Sequence, residues 1–212
     1  LPHKEEAQII ERRKNMPIVR LPTGELRDEI RQPVYDTIVI GAAVNPVGQR
    51  EFFSNVQGKS LIQTNLKQNK LLETAVSFRV QGLALDAQNF RFANRLALPL
   101  IMERSSIEFI VGEKTYFTAN ARYLAGRIWQ HTAIDGQTAP TDAILQEYGQ
   151  AAVQSVMLQG KHVIDINPLQ SFFARWVVGE MTAAEQADAT PAAGTELRFL
   201  FKMAGLLRRP VQ

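Results

Sequence analysis

Between Glu73 and Leu85 the side chains change character at every step: Val76, Phe78 and Val80 alternate with Ser77, Arg79 and Gln81. A period of two puts one set on each face of an extended chain, so this pattern predicts a half-buried strand. Ile107, Phe109 and Val111 repeat the alternation against Glu108, and Gly112-Glu113-Lys114 supplies a turn before Thr115-Tyr116-Phe117-Thr118, which predicts a hairpin. The β-branched run from Tyr35 to Gly41, closed by Asn45-Pro46, predicts a strand ahead of these. Near the end, Leu197, Phe199, Phe201 and Met203 alternate with Arg198 and Lys202 in a last strand. Phe172, Ala174, Trp176 and Val178 alternate with Phe173, Arg175 and Val177, so this strand is apolar on both faces. Such a strand needs cover on its second face, either from a neighbouring protomer or from a helix between 141 and 158.

Other patterns fill the connections. Thr141 caps a predicted helix carrying Ala143, Ile144, Leu145 and Tyr148; Gly149 ends it, or Ala151 to Leu158 prolong it. Lys161 to Ile166 has strand composition and Asn167-Pro168 is a turn, whereas the alanine-rich Met181 to Gly194, with Thr190-Pro191, predicts an exposed loop. Lys4 to Asn15 has the charge spacing of a short helix that Pro17 stops. Pro17, Pro22 and Pro33 then mark residues 1–33 as an extended arm, leaving 34–212 as one domain. About eight strands with no βαβ rhythm predict an all-β fold, an antiparallel β-sandwich with one or two short helices in its connections. Connections as unequal as 119–160 favour the Greek-key crossings of a jelly roll.

The chain has 212 residues, 45% of them apolar and 21% charged, with a formal charge of +3. That suits one packed core and excludes a wholly disordered chain. Nowhere is there the run of about 18 apolar residues that a membrane helix needs, and the charged stretch from Leu1 to Asn15 lacks the apolar centre of an export signal. The absence of cysteine excludes disulfide frameworks, thiolate metal sites and cysteine nucleophiles.

Catalytic patterns are scarce. His3, His131 and His162 fall in the arm, a presumed loop and a strand start, without the i, i+4 pairing of a metal site. His162 and Asp165 are the only base and orienting carboxylate close in sequence, and no Gly-x-Ser-x-Gly elbow provides a nucleophile. Gly58-Lys59-Ser60 ends like a phosphate-binding loop, yet Phe53 stands where its first glycine is required. Gly112-Glu113-Lys114-Thr115 fails similarly, and Asp135-Gly136 is an ordinary turn rather than a calcium loop. Phe52, Phe53, Phe90, Phe92, Phe172, Phe173 and Trp176 suit a core better than a base-stacking platform, because most lie in strand patterns. The expectation is a protein that is not an enzyme, with no metal and no cofactor. Its basic clusters are Arg12, Arg13 and Lys14, and Arg208 and Arg209. They are candidates for weak nucleic-acid contact, Arg208 and Arg209 also for a neighbouring subunit or a solvated terminus.

The order of several segments carries a resemblance: Gln32-Pro33-Val34-Tyr35-Asp36-Thr37, Arg50-Glu51-Phe52-Phe53-Ser54, Gln63-Thr64-Asn65-Leu66, Val76-Ser77-Phe78-Arg79-Val80 and Leu169-Gln170-Ser171-Phe172. Over residues 32–205 the chain resembles the small jelly-roll coat proteins of tailless icosahedral bacteriophages. The resemblance implies a major capsid subunit that self-assembles with copies of itself and with other virion proteins. It would reside in the virion after assembly in the host cytoplasm, and there are no active residues to carry over. Two other classes share the predicted fold: a glycan- or receptor-binding sandwich, and a small hydrolase or isomerase built on His162 and Asp165.

Overall fold

The computed structural model describes residues 18–20, 24–88, 97–124, 156–158, 160–191 and 193–211. Its strands are β1 (Ile18–Arg20), β2 (Leu26–Arg31), β3 (Val34–Ile40), β4 (Gly48–Phe52), β5 (Ser77–Gln88), β6 (Ser105–Val111), β7 (Lys114–Asn120), β8 (Val156–Met157), β9 (Ile164–Ile166), β10 (Phe172–Val178) and β11 (Leu197–Pro210). Helix α1 (Ala97–Glu103) follows β5 and α2 (Ala183–Ala189) follows β10. The strands form two antiparallel sheets. In the seven-stranded sheet, β11 pairs with β3 and then β2 along one side and with β5 along the other. Beyond β5 lie β9 and β8, and outside β2 lies β1. The second sheet is β4-β10-β6-β7. Taking β8 and β9 as one interrupted strand, the order 3-11-5-9 faces 4-10-6-7, and the chain crosses between the sheets at all but one of its steps from β3 to β11. That is the eight-stranded jelly roll of two Greek keys.

The alternation read from the sequence is what fills the space between the sheets. Phe172, Ala174, Trp176 and Val178 of β10, Ile107, Phe109 and Val111 of β6, and Leu197, Phe199, Phe201 and Met203 of β11 are all buried in one cluster. Phe201 is its centre, with ring centroids 5.5 Å from Phe52, 5.9 Å from Phe53 and 6.2 Å from Phe109. Phe52 and Phe53 are adjacent yet both buried, because β4 ends at Phe52 and Phe53 turns into the left-handed region at φ 68°. That conformation costs roughly 1–2 kcal/mol for a residue with a Cβ, which burial of a phenylalanine, about 2–3 kcal/mol, offsets. On the outer face of β10, Phe173 is half-buried beneath the Lys70 ammonium, 4.1 Å from its ring centroid, and Arg175 pairs with Glu108 at 3.0 Å. Neighbouring side chains thus supply part of the cover predicted for this face; the helix predicted over 141–149 lies outside the described residues.

The longest strands are β11, with 14 residues, and β5, with 12. Their pairing shifts register between Ala204 and Gly205: Ala204 opposes Gly82, and Gly205 opposes Val80, leaving Gln81 as the extra residue of a bulge. The inward set in β5 therefore changes parity, from Phe78 and Val80 to Leu83 and Leu85. The carbonyl of Gln81 is not orphaned, since it accepts the Leu158 N–H at 2.8 Å.

Four sequence expectations change. First, Ile18–Arg20 and Leu26–Arg31 are extended but belong to the sheet. β2 pairs with Leu206–Pro210, Glu29 accepts from Arg208 at 2.7 Å, and the Gln32 N–H reaches the Gly205 carbonyl at 3.3 Å. The described domain therefore begins at Ile18 rather than 34, because Pro33 merely interrupts one edge running along β11; residues 1–17, with the helix predicted there, lie outside the described residues. Second, part of the loop predicted over 181–194 is α2, whose N-terminus is a full capping box: Thr182 accepts from the Glu185 N–H, and the Glu185 carboxylate accepts from the Thr182 N–H. Third, Val156–Met157 is a strand on β5 rather than a helix extension, and Gly160–His162 forms a 3-10 turn before β9. Fourth, α1 matches no predicted element. No described helix is long and apolar enough to cross a membrane.

Candidate assembly surface

The connections collect at the two ends of the sandwich. At one end, β3–β4 touches the α2 region through the Ala43 N–H to the Pro191 carbonyl, 3.0 Å, and α1 is tied to α2 by Arg104–Glu185, 2.6 Å. At the other end lie the connections β4–β5 (53–76), β6–β7 (112–113) and β9–β10 (167–171). Three backbone bonds join them: Lys70 N–H to Phe53 O at 2.7 Å, Phe172 N–H to Lys70 O at 2.9 Å, and Gly112 N–H to Ser171 O at 2.7 Å. This end presents large aliphatic side chains to solvent: Leu61 is 79% exposed, Ile62 75% and Leu169 69%.

These side chains stand on hydrogen-bonded loops. Asp36, fully buried on β3, accepts the Phe53 N–H at 2.7 Å and the Lys59 ammonium at 2.8 Å, and Lys59 also donates to the Thr37 carbonyl at 2.7 Å. The Tyr35 hydroxyl donates to the Leu61 carbonyl at 2.5 Å, and the backbone N–H groups of Gln63 and Thr64 close a turn on the Ser60 carbonyl at 2.9 and 3.0 Å. Lys70 pairs with Glu51 at 2.7 Å; that bond, then the Ser54 hydroxyl, hold the Glu51 carboxyl below its usual range. The arrangement is held together by ion pairs and backbone hydrogen bonds. What it can do is bury Leu61, Ile62 and Leu169 against another surface without first ordering a loop.

The residues singled out from sequence distribute differently. Lys59, the centre of the phosphate-loop pattern, is committed to Asp36 and Thr37. Both oxygens of Asp165 accept from Arg79, at 2.8 and 3.1 Å, and this raises the guanidinium pKa. The orienting partner proposed for His162 is thus taken by Arg79, while His162 lies exposed in the 3-10 turn. Arg208 is held on Glu29 and Arg209 faces Asp28 at 3.8 Å, so the basic pair is balanced within the sheet. Phe52, Phe53, Phe172 and Trp176 are core residues. His3, His131, Phe90, Phe92, Arg12, Arg13 and Lys14 lie outside the described residues. Sequence reading passed over Leu61 and Ile62, although an apolar pair inside the polar run Lys59-Ser60-Leu61-Ile62-Gln63-Thr64 was the available signal. In comparison with known proteins, the chain matches no protein-family model, no curated protein and no solved structure.

Proposed function

We propose that this protein is a virion structural protein, a coat subunit that assembles with copies of itself into an icosahedral phage shell, and that it performs no catalysis. The observation that carries the reading is the exposure of Leu61, Ile62 and Leu169 on hydrogen-bonded loops at this end of the sandwich. Exposed aliphatic groups on a fixed support are what a repeated subunit contact needs, because little conformational entropy is lost when they are covered. The jelly roll fits this role, although one fold serves many functions and does not establish it. Residence in the virion, contacts with other virion proteins and weak nucleic-acid contact through Arg12, Arg13 and Lys14 belong to the same proposal.

The test is particle size. The full chain, examined by light scattering and negative-stain electron microscopy over a concentration series, should form closed particles or rings. Leu61→Asp with Ile62→Asp should abolish them, with the melting temperature unchanged because neither side chain contributes to the core. A chain that stays monomeric at all concentrations refutes the proposal, and glycan binding by that monomer would establish the receptor-binding class instead.

A further inference from the structure

The connection from β9 to β10 contains a four-residue turn, Asn167-Pro168-Leu169-Gln170, closed by the Gln170 N–H on the Asn167 carbonyl at 3.1 Å. Proline sets φ at about −65° in the first central position, and Leu169 in the second has φ 63°. That is a type II turn, whose second central residue is ordinarily glycine or asparagine because a Cβ crowds the backbone there. Bonds on both sides hold the turn in place. Gln170 Oε1 accepts the Asn167 N–H at 3.0 Å, the Ser171 carbonyl accepts the Gly112 N–H at 2.7 Å, and the Phe172 N–H donates to the Lys70 carbonyl at 2.9 Å. Among the described residues, five that are not glycine have positive φ, and the fold uses four of them. Phe53 is buried in the core, Lys70 pairs with Glu51, the Ala75 carbonyl accepts from Arg27, and the Ala43 N–H donates to the Pro191 carbonyl. Leu169 is the fifth, and its side chain is 69% exposed and outside the core cluster. A leucine here strains the folded backbone and gains the fold no burial. An outlier that nothing in the fold needs points to a contact outside it.

We propose that Leu169 is the anchor of the subunit contact, an apolar side chain kept at a cost to folding because it is buried against a second copy of this chain. The inference rests on the coat reading and names the residue on which that contact turns. A second copy is the occupant that the charges favour. Residues 167–171 carry no charge, and every charge between 53 and 76 is paired: Lys59 with Asp36, Lys70 with Glu51, and Lys67 with Glu73 at 2.6 Å. Connections so balanced offer no excess of cations to nucleic acid or to an anionic membrane. Two copies can approach through them without repulsion, and their aliphatic tips gain from mutual burial.

Two substitutions separate strain from contact. Asparagine accepts the left-handed conformation and alanine does not, while both remove the aliphatic tip. Folding is measured by urea denaturation of the full chain carrying Leu61→Asp and Ile62→Asp, which keeps it unassembled. There Leu169→Asn should raise the folding equilibrium constant about threefold to tenfold, through relief of left-handed strain, and Leu169→Ala should change it by less than about twofold. Assembly is measured by light scattering of the full chain with Leu61 and Ile62 intact. Both variants should raise the concentration at which particles form by about tenfold or more, the effect of losing one buried leucine tip. Equal stability of Leu169→Asn and Leu169→Ala overturns the strain argument, and either variant assembling like the parent overturns the anchor while the coat reading stands. A parent chain that never assembles refutes the coat reading and the anchor with it.

Discussion

Replacing Gly205 with alanine tests a close approach of two backbones, β5 against β11. A Cβ built at Gly205 stands 3.0 Å from the carbonyl carbon of Arg79 and from Cζ of Phe78, and far inside contact distance of the Arg79 carbonyl oxygen. The obstacle is the main chain of the paired strand, so no rotamer change relieves it. β5 and β11 have to separate at the bulge, giving up local pairing beside buried Val80 and Met203. Overpacking typically costs 1–3 kcal/mol, and roughly two disrupted hydrogen bonds add about 2 kcal/mol. The expected destabilisation is therefore about 3–5 kcal/mol, a large share of a domain's stability. Two glycines calibrate the scale. At Gly41 the added Cβ meets Val44 Cγ2 at an ordinary 3.7 Å, so alanine there should be neutral within about 0.5 kcal/mol. At Gly179 it meets the Arg104 carbonyl at 3.2 Å, which should place that variant between the other two. Urea denaturation of all three, compared at constant m-value, gives the order directly. A Gly205→Ala protein less than about 1 kcal/mol below the parent would refute the reasoning, because it would mean that the bulge yields freely.

Phe199→Ser should cost about 3–5 kcal/mol, since the ring is buried 4.6 Å from the Trp176 centroid, whereas Arg198→Ser should cost less than about 1 kcal/mol because its Glu196 partner lies at the surface; equal effects in thermal melts would remove the inward and outward assignment of β11. Among the described residues, the buried indole N–H of Trp176 has no hydrogen-bond partner. Trp176→Phe relieves that penalty while opening a small cavity, and the two should nearly cancel, leaving less than about 1.5 kcal/mol of destabilisation by urea titration. In the capping box, Thr182→Ala should cost about 1 kcal/mol. The Glu185 carboxyl is held below its ordinary value of 4.5 by the Thr182 backbone N–H and then by Arg104. A lowered folded pKa means that this stabilisation is complete above the ordinary carboxylate range and is lost as pH falls through the folded value. Glu185→Gln should accordingly flatten the acid limb of a stability-against-pH curve, and an unchanged limb would contradict the pairing.

Much of the architecture is local information. Side-chain alternation marks Phe172–Val178 and Leu197–Met203, and Gly112 at φ 62° closes the β6–β7 hairpin where the turn residues predict it. The capping box Thr182-Ala183-Ala184-Glu185 was equally local, so α2 was present in the sequence and obscured only by its alanine-rich, loop-like setting. Other features depend on partners distant along the chain. Glu29 and Arg208 meet across 179 positions, so nothing near residue 29 marks it as an edge strand rather than a free arm. The inward face of β5 changes parity at Gln81 only because Gly205 of β11 lets the two backbones close up there. Likewise Lys59 looks like a phosphate ligand until Asp36 comes within 2.8 Å, and Leu61 and Ile62 become a candidate contact only once residues 59–65 are bonded to β3. Periodicity reports which face of a strand avoids water, a property of near neighbours; which strand lies alongside, and hence which polar groups are satisfied and which apolar ones are left outside, is fixed by long-range packing that no sequence window contains.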